Sequence, residues 1–359
     1  MSSPTVPHAA DSSISSVRHE EPVILAAAVI GLGPMGLTHA AIANSLGSSK
    51  VVGVADSDER LLRIGRKLVN GIQFFSDYME MVTQLQPDCV YVCTPPYTHY
   101  EIVRKLLDHS TRPRGIFVEK PLAASRSEAQ ELASSLGTRG MIGAVGYQKR
   151  FIGAFQRTKE LLQKGALGRV VLFRAHQFTP GILQPIEGWR SEPATGGATI
   201  EWGIHLIDLL VWLFGAPSGI EASRSRVVSS RVEDYARAGL TYANGVAGLV
   251  EIGWSMRNFS PPELMIEIHG TEGALNVTED RIVVYGGREQ TGEDATRPIL
   301  THTASLTPPV PFLLGQPENV IEELHFQECV RHGTAPVNSF QESVRVHQIV
   351  DAIRAAPLR

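Results

Sequence analysis

The chain has 359 residues, of which 43% are hydrophobic and 19% charged, and its formal net charge at pH 7 is -4. A chain of this composition can bury a large core, and at roughly 100–200 residues per domain its length predicts two domains. The charges form no block of one sign. The sequence therefore predicts neither a nucleic-acid partner nor binding to an anionic membrane.

The N-terminal segment and the cysteines bear on the compartment. Residues 1–21, rich in Ser, Pro and His, are expected to form a disordered tail. The apolar run at 23–32 is too short to span a bilayer and continues into a glycine turn, not a cleavage site. Cys89 and Cys93 would lie ~13 Å apart on one strand, too far for a disulfide or a shared metal. We therefore expect a cytoplasmic protein with cysteines that serve packing.

The first predicted strand, residues 23–30, ends in a glycine-rich turn with the spacing Gly31-x-Gly33-x-x-Gly36. The first glycine permits a tight turn, the second lets the backbone approach a pyrophosphate, and the third lets the next helix pack closely on the strand. That helix, predicted over 35–46, presents free N–H groups to the phosphates. The pattern predicts a dinucleotide site.

An acidic residue selects between the two nicotinamide dinucleotides. The apolar strand at 51–55 ends at Asp56, whose carboxylate can accept hydrogen bonds from a ribose and would repel a 2'-phosphate. NAD(H) is therefore the preferred cofactor. NADP(H) stays possible, because Ser57 and Arg60 follow closely and an arginine there can accommodate a 2'-phosphate.

Strands and helices alternate through the first half of the chain, with a helix at 59–68, strands at 88–93 and 116–118, and a helix at 125–136. This order predicts an α/β Rossmann domain, with a doubly wound parallel sheet, over 22–145. Two of the strands end in loops that begin at Thr94 and Glu119. Because ligands bind at the carboxyl edge of such sheets, both loops should border the cofactor.

The second half, residues 146–359, predicts an α+β domain for substrate binding and oligomerisation. Strands are predicted at 170–177, 239–242, 245–252 and 264–268, with a hairpin turn at Asn244-Gly245. The sheet should be large, open and mainly antiparallel, and the C-terminal helix can pack back on the Rossmann domain. The 286–311 stretch is loop-like, and its role is left open.

One apolar helix, predicted over 200–214, carries Glu201, His205 and Asp208 on a single face. Three interpretations are open. His205 can be a buried core residue, it can act in proton transfer, or the three side chains can bind a metal. One histidine and two carboxylates on one helix match catalytic zinc sites poorly, so no metal is expected.

Several motifs in fixed order give the chain a family resemblance. They are the glycine turn, Thr94-Pro95-Pro96-x-x-His99, Glu119-Lys120-Pro121-Leu122, Gly146-Tyr147-Gln148-x-Arg150-Phe151, Trp189-Arg190 and Gly196-Gly197-x-x-x-Glu201-x-Gly203-x-His205-x-x-Asp208. From residue 23 to the end, the chain resembles the glucose-fructose oxidoreductase/inositol dehydrogenase (Gfo/Idh/MocA) family. The resemblance implies hydride transfer between a nicotinamide cofactor and a secondary alcohol or ketone of a sugar, cyclitol or derivative.

The resemblance also implies residue roles. Lys120 matches the catalytic lysine, and His205 matches the active-site histidine. Glu201 stands where the family usually has aspartate, so its reach toward substrate or His205 can differ. The residues expected to contact the cofactor are Gly31, Leu32, Gly33, Pro34, Met35, Gly36, Asp56, Thr94, Pro95, Pro96, His99, Glu119 and Lys120. Those expected to contact substrate are Tyr147, Arg150, His176, Trp189, Arg190, Glu201 and His205. Two of them have open alternatives, because core packing explains Tyr147 equally well and His176 can instead face solvent.

The sequence also supports one expectation about assembly and leaves two alternative functions open. An open sheet leaves an exposed face, so we expect a homodimer or homotetramer that forms through it. One alternative to a dehydrogenase is a lyase or glycosidase that oxidises a sugar hydroxyl transiently and recycles its NAD. The other is an NAD-binding sensor without turnover, for which the change to Glu201 is the one hint.

Overall fold

The computed structural model describes residues 24–68, 70–183, 188–288, 299–302 and 316–359. The tail predicted at 1–21 lies outside these residues, as does most of the 286–311 stretch. Within that stretch, residues 299–302 form a strand, so this part is not the loop that the sequence suggests.

The first half of the chain forms a sheet of six parallel strands in the order β3-β2-β1-β4-β5-β6. The strands are β1 (Leu25–Ile30), β2 (Ser49–Ala55), β3 (Gln73–Phe75), β4 (Cys89–Val92), β5 (Gly115–Val118) and β6 (Ile142–Val145). The helices are α1 (Pro34–Ser45), α2 (Glu59–Leu68), α3 (Tyr78–Leu85), α4 (His99–Asp108) and α5 (Arg126–Thr138). This doubly wound order confirms the predicted Rossmann domain.

The central strands are buried on both faces, which explains why β4 and β5 are apolar without alternation. On one face, side chains such as Val90 and Val92 belong to the larger of two apolar clusters. On the other face, Cys89 and Tyr91 pack with Phe326 in a second cluster. Phe326 lies on a helix near the C-terminus, so the end of the chain covers part of the Rossmann sheet.

The second half contains an eight-stranded sheet in the order β14-β13-β12-β11-β7-β10-β9-β8. Strands β7 and β10 are parallel, and the other neighbours are antiparallel, as the sequence predicts. The strands are β7 (Val170–Phe178), β8 (Gly219–Ser225), β9 (Tyr235–Thr241), β10 (Ala247–Gly253), β11 (Glu263–Gly270), β12 (Gly273–Thr278), β13 (Arg281–Gly286) and β14 (Ile299–His302). The helices of this half are α6 (Gly153–Gln163), α7 (Ile204–Phe214), α8 (Pro317–His332) and α9 (Phe340–Ala355).

The helix predicted over 200–214 is two structures. Residues Thr199–Gly203 form a π-helical turn, and α7 follows at Ile204. Such turns replace the regular 3.6-residue spacing locally and are frequent at functional sites. None of the helices among the described residues is long and apolar enough to cross a membrane.

Candidate functional site

A crevice of about 1110 Å³ lies at the carboxyl edge of the parallel sheet, where the Rossmann sheet meets the π turn and the start of α7. Its lining includes most of the residues predicted for the cofactor and the chemistry. These are Gly31, Gly33, Pro34, Met35, Asp56, Thr94, Pro95, Pro96, Glu119, Lys120, Trp189, Arg190, Glu201 and His205.

The geometry of the glycine turn fits a dinucleotide. Gly31 has φ +95°, a conformation that favours glycine. A Cβ on Gly36 would lie 1.8 Å from the Gly31 carbonyl oxygen, so α1 can approach the strand only without a side chain there. A Cβ on Gly33 would meet nothing within 4 Å, which leaves space for phosphate beside the start of α1. Leu32 and Gly36 shape the turn but do not line the crevice.

Asp56 connects the glycine turn to the end of β2. Its Oδ2 accepts the Leu32 N–H at 2.6 Å, and its Oδ1 accepts the Asp58 N–H at 2.8 Å. The Arg60 guanidinium is bound to Asp58, with Nη2 3.1 Å from Oδ2. The Asp56 carboxylate therefore lines the crevice beside the glycine turn, and the arginine that could attract a 2'-phosphate is paired with Asp58.

The sequence predicts that His99 contacts the cofactor, but the structure places His99 outside the crevice lining. Its side chain is fully buried, and its ring nitrogens lie 2.7 Å from the Pro121 carbonyl oxygen and 2.8 Å from that of Thr94. The ring therefore fixes the loop after β4 to the loop that contains Lys120. His99 supports the lining from beneath.

Lys120 lies against the π turn. Its Nζ donates to the backbone oxygen of Glu201 at 2.8 Å and lies 3.7 Å from Glu201 Oε2. The Lys120 side chain is 16% exposed, so it is held away from bulk water but remains accessible from the crevice. Its backbone N–H donates to Glu119 Oε2 at 3.1 Å.

Glu201 is an anion between two cations. Arg190 Nε donates to Glu201 Oε1 at 2.7 Å, and the Arg190 guanidinium stacks on the Trp189 ring. Burial raises the pKa of Glu201, but Lys120 and Arg190 outweigh it and hold the pKa below its ordinary value. Among the described residues, Oε2 has no hydrogen-bond partner, which leaves an acceptor for a ligand.

His205 is a neutral imidazole at the floor of the crevice. Burial, with Lys120 and Lys149 nearby, lowers its pKa well below the ordinary value. Its side chain is almost completely buried, and Nδ1 has no hydrogen-bond partner among the described residues. A neutral ring can donate one hydrogen bond and accept another, as contact with a substrate hydroxyl requires.

Asp208 does not join Glu201 and His205 in the crevice. It lies deeper on α7, where its Oδ1 accepts from Arg150 Nη2 at 2.6 Å and both side chains are fully buried. This pairing explains Asp208 as a structural partner. Within the described part of the chain, no group of three or more His, Cys, Asp or Glu side chains is placed to hold a metal.

Three residues expected to contact substrate lie elsewhere. Arg150 is occupied by Asp208. Tyr147 is fully buried, with its hydroxyl 2.8 Å from Ser343 Oγ. His176 pairs with Glu263 at 2.7 Å on the second sheet and is not part of the lining. Motif position alone does not give side-chain direction, which corrects these expectations.

The lining also contains polar residues that the sequence does not indicate. Lys149 lies between Glu279 and Glu318, with its Nζ 3.0 and 2.9 Å from their carboxylates. Gln177 is 2% exposed, and its Oε1 has no partner among the described residues. A signal for Gln177 exists, because it alternates with buried Ala175 and Phe173 on β7. For Lys149 no local sequence pattern indicates a place in the crevice, because its partners are distant in the chain.

Family models match both halves of the chain. Residues 25–147 match the oxidoreductase family with an NAD-binding Rossmann fold, and residues 155–276 match the GFO/IDH/MocA C-terminal domain. The two matches follow the division between the two sheets. They agree with the resemblance indicated by the sequence motifs.

Individual relatives share 30% or less of their residues with this chain in the three comparisons that follow. An uncharacterised oxidoreductase of Schizosaccharomyces pombe is 30% identical over 216 residues, which are 58% of each protein. The scyllo-inositol 2-dehydrogenase (NAD(+)) of Bacillus subtilis is 29% identical over 321 residues, 86% of this chain and 87% of the relative. Among solved structures, a levoglucosan dehydrogenase in complex with NADH and levoglucosan has a TM-score of 0.82 and 22% identity, and the match covers 92% of this chain and 96% of that one.

This last likeness is one of fold. The family assignment rests on the two domain models together with the glycine turn, the Glu119-Lys120 loop and the π turn that converge on one crevice. The chain belongs to the GFO/IDH/MocA family and is an NAD-binding oxidoreductase.

Proposed function

We propose that this oxidoreductase transfers a hydride between NAD and a secondary alcohol or ketone of a sugar, cyclitol or related polyol. The observation that carries the proposal is that Lys120, Glu201 and His205 line the same crevice as the glycine turn. Relatives named as dehydrogenases of scyllo-inositol, myo-inositol and levoglucosan support a ring polyol as substrate.

The cofactor end of the crevice fits NAD. Gly33 leaves room for the pyrophosphate at the start of α1, and Asp56 faces the ribose. When bound, NAD supplies the acceptor or donor of the hydride. The preference for NAD over NADP follows from the Asp56 charge and the pairing of Arg60 with Asp58.

Lys120 carries the proton transfer in this proposal. As a neutral amine, its Nζ accepts the proton of the alcohol during oxidation, and as an ammonium it donates to the ketone oxygen during reduction. The Glu201 backbone oxygen orients Nζ at 2.8 Å, and Glu201 Oε2 lies 3.7 Å from the same atom.

His205 and Gln177 bind the substrate hydroxyls. His205 Nδ1 and Gln177 Oε1 are buried polar atoms at the crevice without partners among the described residues. Buried polar groups are normally hydrogen-bonded, and a polyol offers hydroxyls that match both. Orientation of the carbinol carbon by these contacts contributes to rate as well as affinity.

A spectrophotometric assay tests the proposal. Purified protein is offered NAD or NADP with a panel of cyclitols, free sugars and amino sugars, and nicotinamide absorbance is followed. We expect turnover with NAD on at least one ring polyol and loss of that turnover in Lys120→Ala. The matched control is Lys50→Ala, which removes an exposed lysine from β2.

Three outcomes would contradict the proposal. If Lys120→Ala keeps the wild-type rate, Lys120 has no role in the chemistry. If sugar derivatives release an aglycone without any accumulation of NADH, the protein is the recycling lyase or glycosidase. Tight NAD binding without turnover on the whole panel would indicate the sensor.

A further inference from the structure

A buried histidine lies behind the lysine loop. His39 is on α1, three residues after Gly36, and its side chain is fully buried. Its ring packs against Phe117 and Tyr91, with centroids 4.8 and 5.6 Å away. It does not line the crevice.

Both ring nitrogens of His39 face carboxylates. Nδ1 lies 2.7 Å from Glu323 Oε1, and Nε2 lies 3.1 Å from Glu119 Oε1. A neutral imidazole can donate through one nitrogen, whereas an imidazolium donates through both. Burial lowers the pKa of His39, but Glu119 and Glu323 outweigh it and raise the pKa to about 10.

Glu119 passes this contact to the lysine loop. Its Oε1 accepts from His39, and its Oε2 accepts the backbone N–H of Lys120 at 3.1 Å. A Cβ on Gly146, the residue after β6, would lie 3.1 Å from the Glu119 carboxyl carbon, so the backbone at the end of this strand also confines the side chain. The carboxylate can adopt few alternative positions.

Other polar groups enclose the same cluster. Asn338 Nδ2 donates to Glu322 Oε1 at 3.0 Å and to the Val145 carbonyl oxygen at 2.7 Å. Burial and the neighbouring Glu119 raise the pKa of Glu322 well above its ordinary value. Burial also raises the pKa of Glu323, to about 7, against the opposing effect of His39.

We propose that His39 is a positioning residue for the reaction: held by Glu323 of α8, its ring fixes Glu119, and Glu119 fixes the backbone of Lys120. This inference rests on the proposed role of Lys120. It connects three elements that are distant in sequence, namely the helix of the dinucleotide turn, the lysine loop and α8, which covers part of the Rossmann sheet. A shift of the Lys120 backbone would move Nζ away from the Glu201 backbone oxygen.

The alternative is that His39 contributes to stability alone. Both roles predict a lower melting temperature when the ring is replaced. A positioning role also predicts a lower kcat in protein that remains folded, with little change in the KM for NAD, because the lining of the cofactor end stays intact.

The experiment compares three variants at a temperature at which each is folded. His39→Gln removes the imidazole ring. Glu323→Gln weakens the contact that holds His39 Nδ1, and this residue does not line the crevice. His347→Gln is the control, because His347 is also fully buried on a helix, and its ring nitrogens have no partners among the described residues. A fourth variant combines His39→Gln and Glu323→Gln. Melting temperature, kcat, and KM for NAD and for substrate are measured for all four.

We expect His39→Gln and Glu323→Gln to lower kcat on the order of ten- to a hundredfold, with KM for NAD changed less than about threefold. The double variant should lose no more than the worse single variant, because the two residues act through one contact. His347→Gln should keep the wild-type kcat.

The proposal is overturned if a folded His39→Gln or Glu323→Gln variant keeps the wild-type kcat, or if their losses multiply. If His39→Gln does not fold, Glu323→Gln decides alone. Failure of this inference is distinguishable from failure of the proposed function. In the first case Lys120→Ala is inactive while these variants are active, and in the second Lys120→Ala itself keeps its activity.

Discussion

At Glu201 the chain has a carboxylate one methylene longer than the aspartate expected from the family resemblance, and Arg190 contacts the end of the longer side chain. Arg190 Nε lies 2.7 Å from Oε1, while Lys120 is held mainly by the backbone oxygen of the same residue. The contact that orients Lys120 is made by a backbone oxygen, so it does not depend on the length of the side chain at this position.

Because the pKa of His205 is low, the effect of its replacement on kcat should not depend on pH near neutrality. Burial, Lys120 and Lys149 keep the ring neutral, so its charge should not change from about pH 6 to about pH 9. His205→Gln should lower kcat on the order of a hundredfold, and the ratio of wild-type to variant kcat should be constant over that range. Steady-state rates across pH check this, with His269→Gln on the second sheet as the control. A ratio that changes tenfold near pH 6.5 would show that His205 titrates.

Asp56 predicts cofactor selectivity. Asp56→Asn keeps an oxygen that can accept the Leu32 N–H but removes the charge that faces the ribose. We expect the Kd for NAD to rise about tenfold and the Kd for NADP to fall, because the repulsion of the 2'-phosphate is lost. Calorimetric titration measures both constants, and Asp108→Asn, at an exposed carboxylate on α4, is the control. Equal effects on the two cofactors would refute the assignment.

At the scale of elements, α7 is fixed by a buried ion pair. Burial raises the pKa of Asp208 to about 6, against the opposing effect of Arg150, so the carboxylate is ionised at neutral pH. Asp208→Asn removes the carboxylate that lies 2.6 Å from the buried guanidinium and leaves Glu342 Oε2, 3.7 Å from Nη1, as a more distant anion. Removal of one partner of a buried ion pair typically costs about 3–5 kcal/mol of unfolding free energy. Denaturant unfolding measures the loss. Asp58→Asn, which breaks the exposed pair with Arg60, should cost little, and an equally small loss at Asp208 would contradict the prediction.

The sequence predicts the elements whose pattern is local. The strand before the glycine turn, the helix at 59–68 and the hairpin at Asn244-Gly245 appear in the structure as expected. Helix α8 has no such signal, because it buries Glu318, Glu322, Glu323 and Gln327. Their partners include His39 and Lys149, far away in the chain, so burial of these polar residues follows only from the tertiary fold.

The same distinction applies to the candidate site. Lys120, Glu201 and His205 could be assigned to one crevice, because each lies in a motif with fixed spacing. Tyr147 and Arg150 lie in an equally clear motif but face the core, and Gln177 faces the crevice without any motif. Which side of a loop or strand faces the ligand depends on packing between the two halves of the molecule.

At the scale of the whole molecule, the outer face of the second sheet predicts self-association. Leu172, Leu249 and Met265 are partly exposed on β7, β10 and β11, among charged residues. An apolar face with polar surroundings is typical of an interface between subunits. We expect a dimer or tetramer in a sedimentation experiment at micromolar concentration, and a shift toward monomer in Leu249→Glu. Ile64→Glu, at an exposed position on α2, is the control, and a monomeric wild type would contradict the prediction.

We propose above that the crevice places a polyol carbinol next to the nicotinamide for hydride transfer and that Lys120 transfers the proton. The most direct measurement is a single turnover with a substrate that carries deuterium on the reacting carbinol carbon, analysed by mass spectrometry of the cofactor. We expect deuterium in the reduced nicotinamide, a slower rate for the labelled substrate, and neither product nor label transfer in Lys120→Met that still binds NAD. Reduced cofactor without the label, or label transfer at the wild-type rate in Lys120→Met, would contradict this proposal.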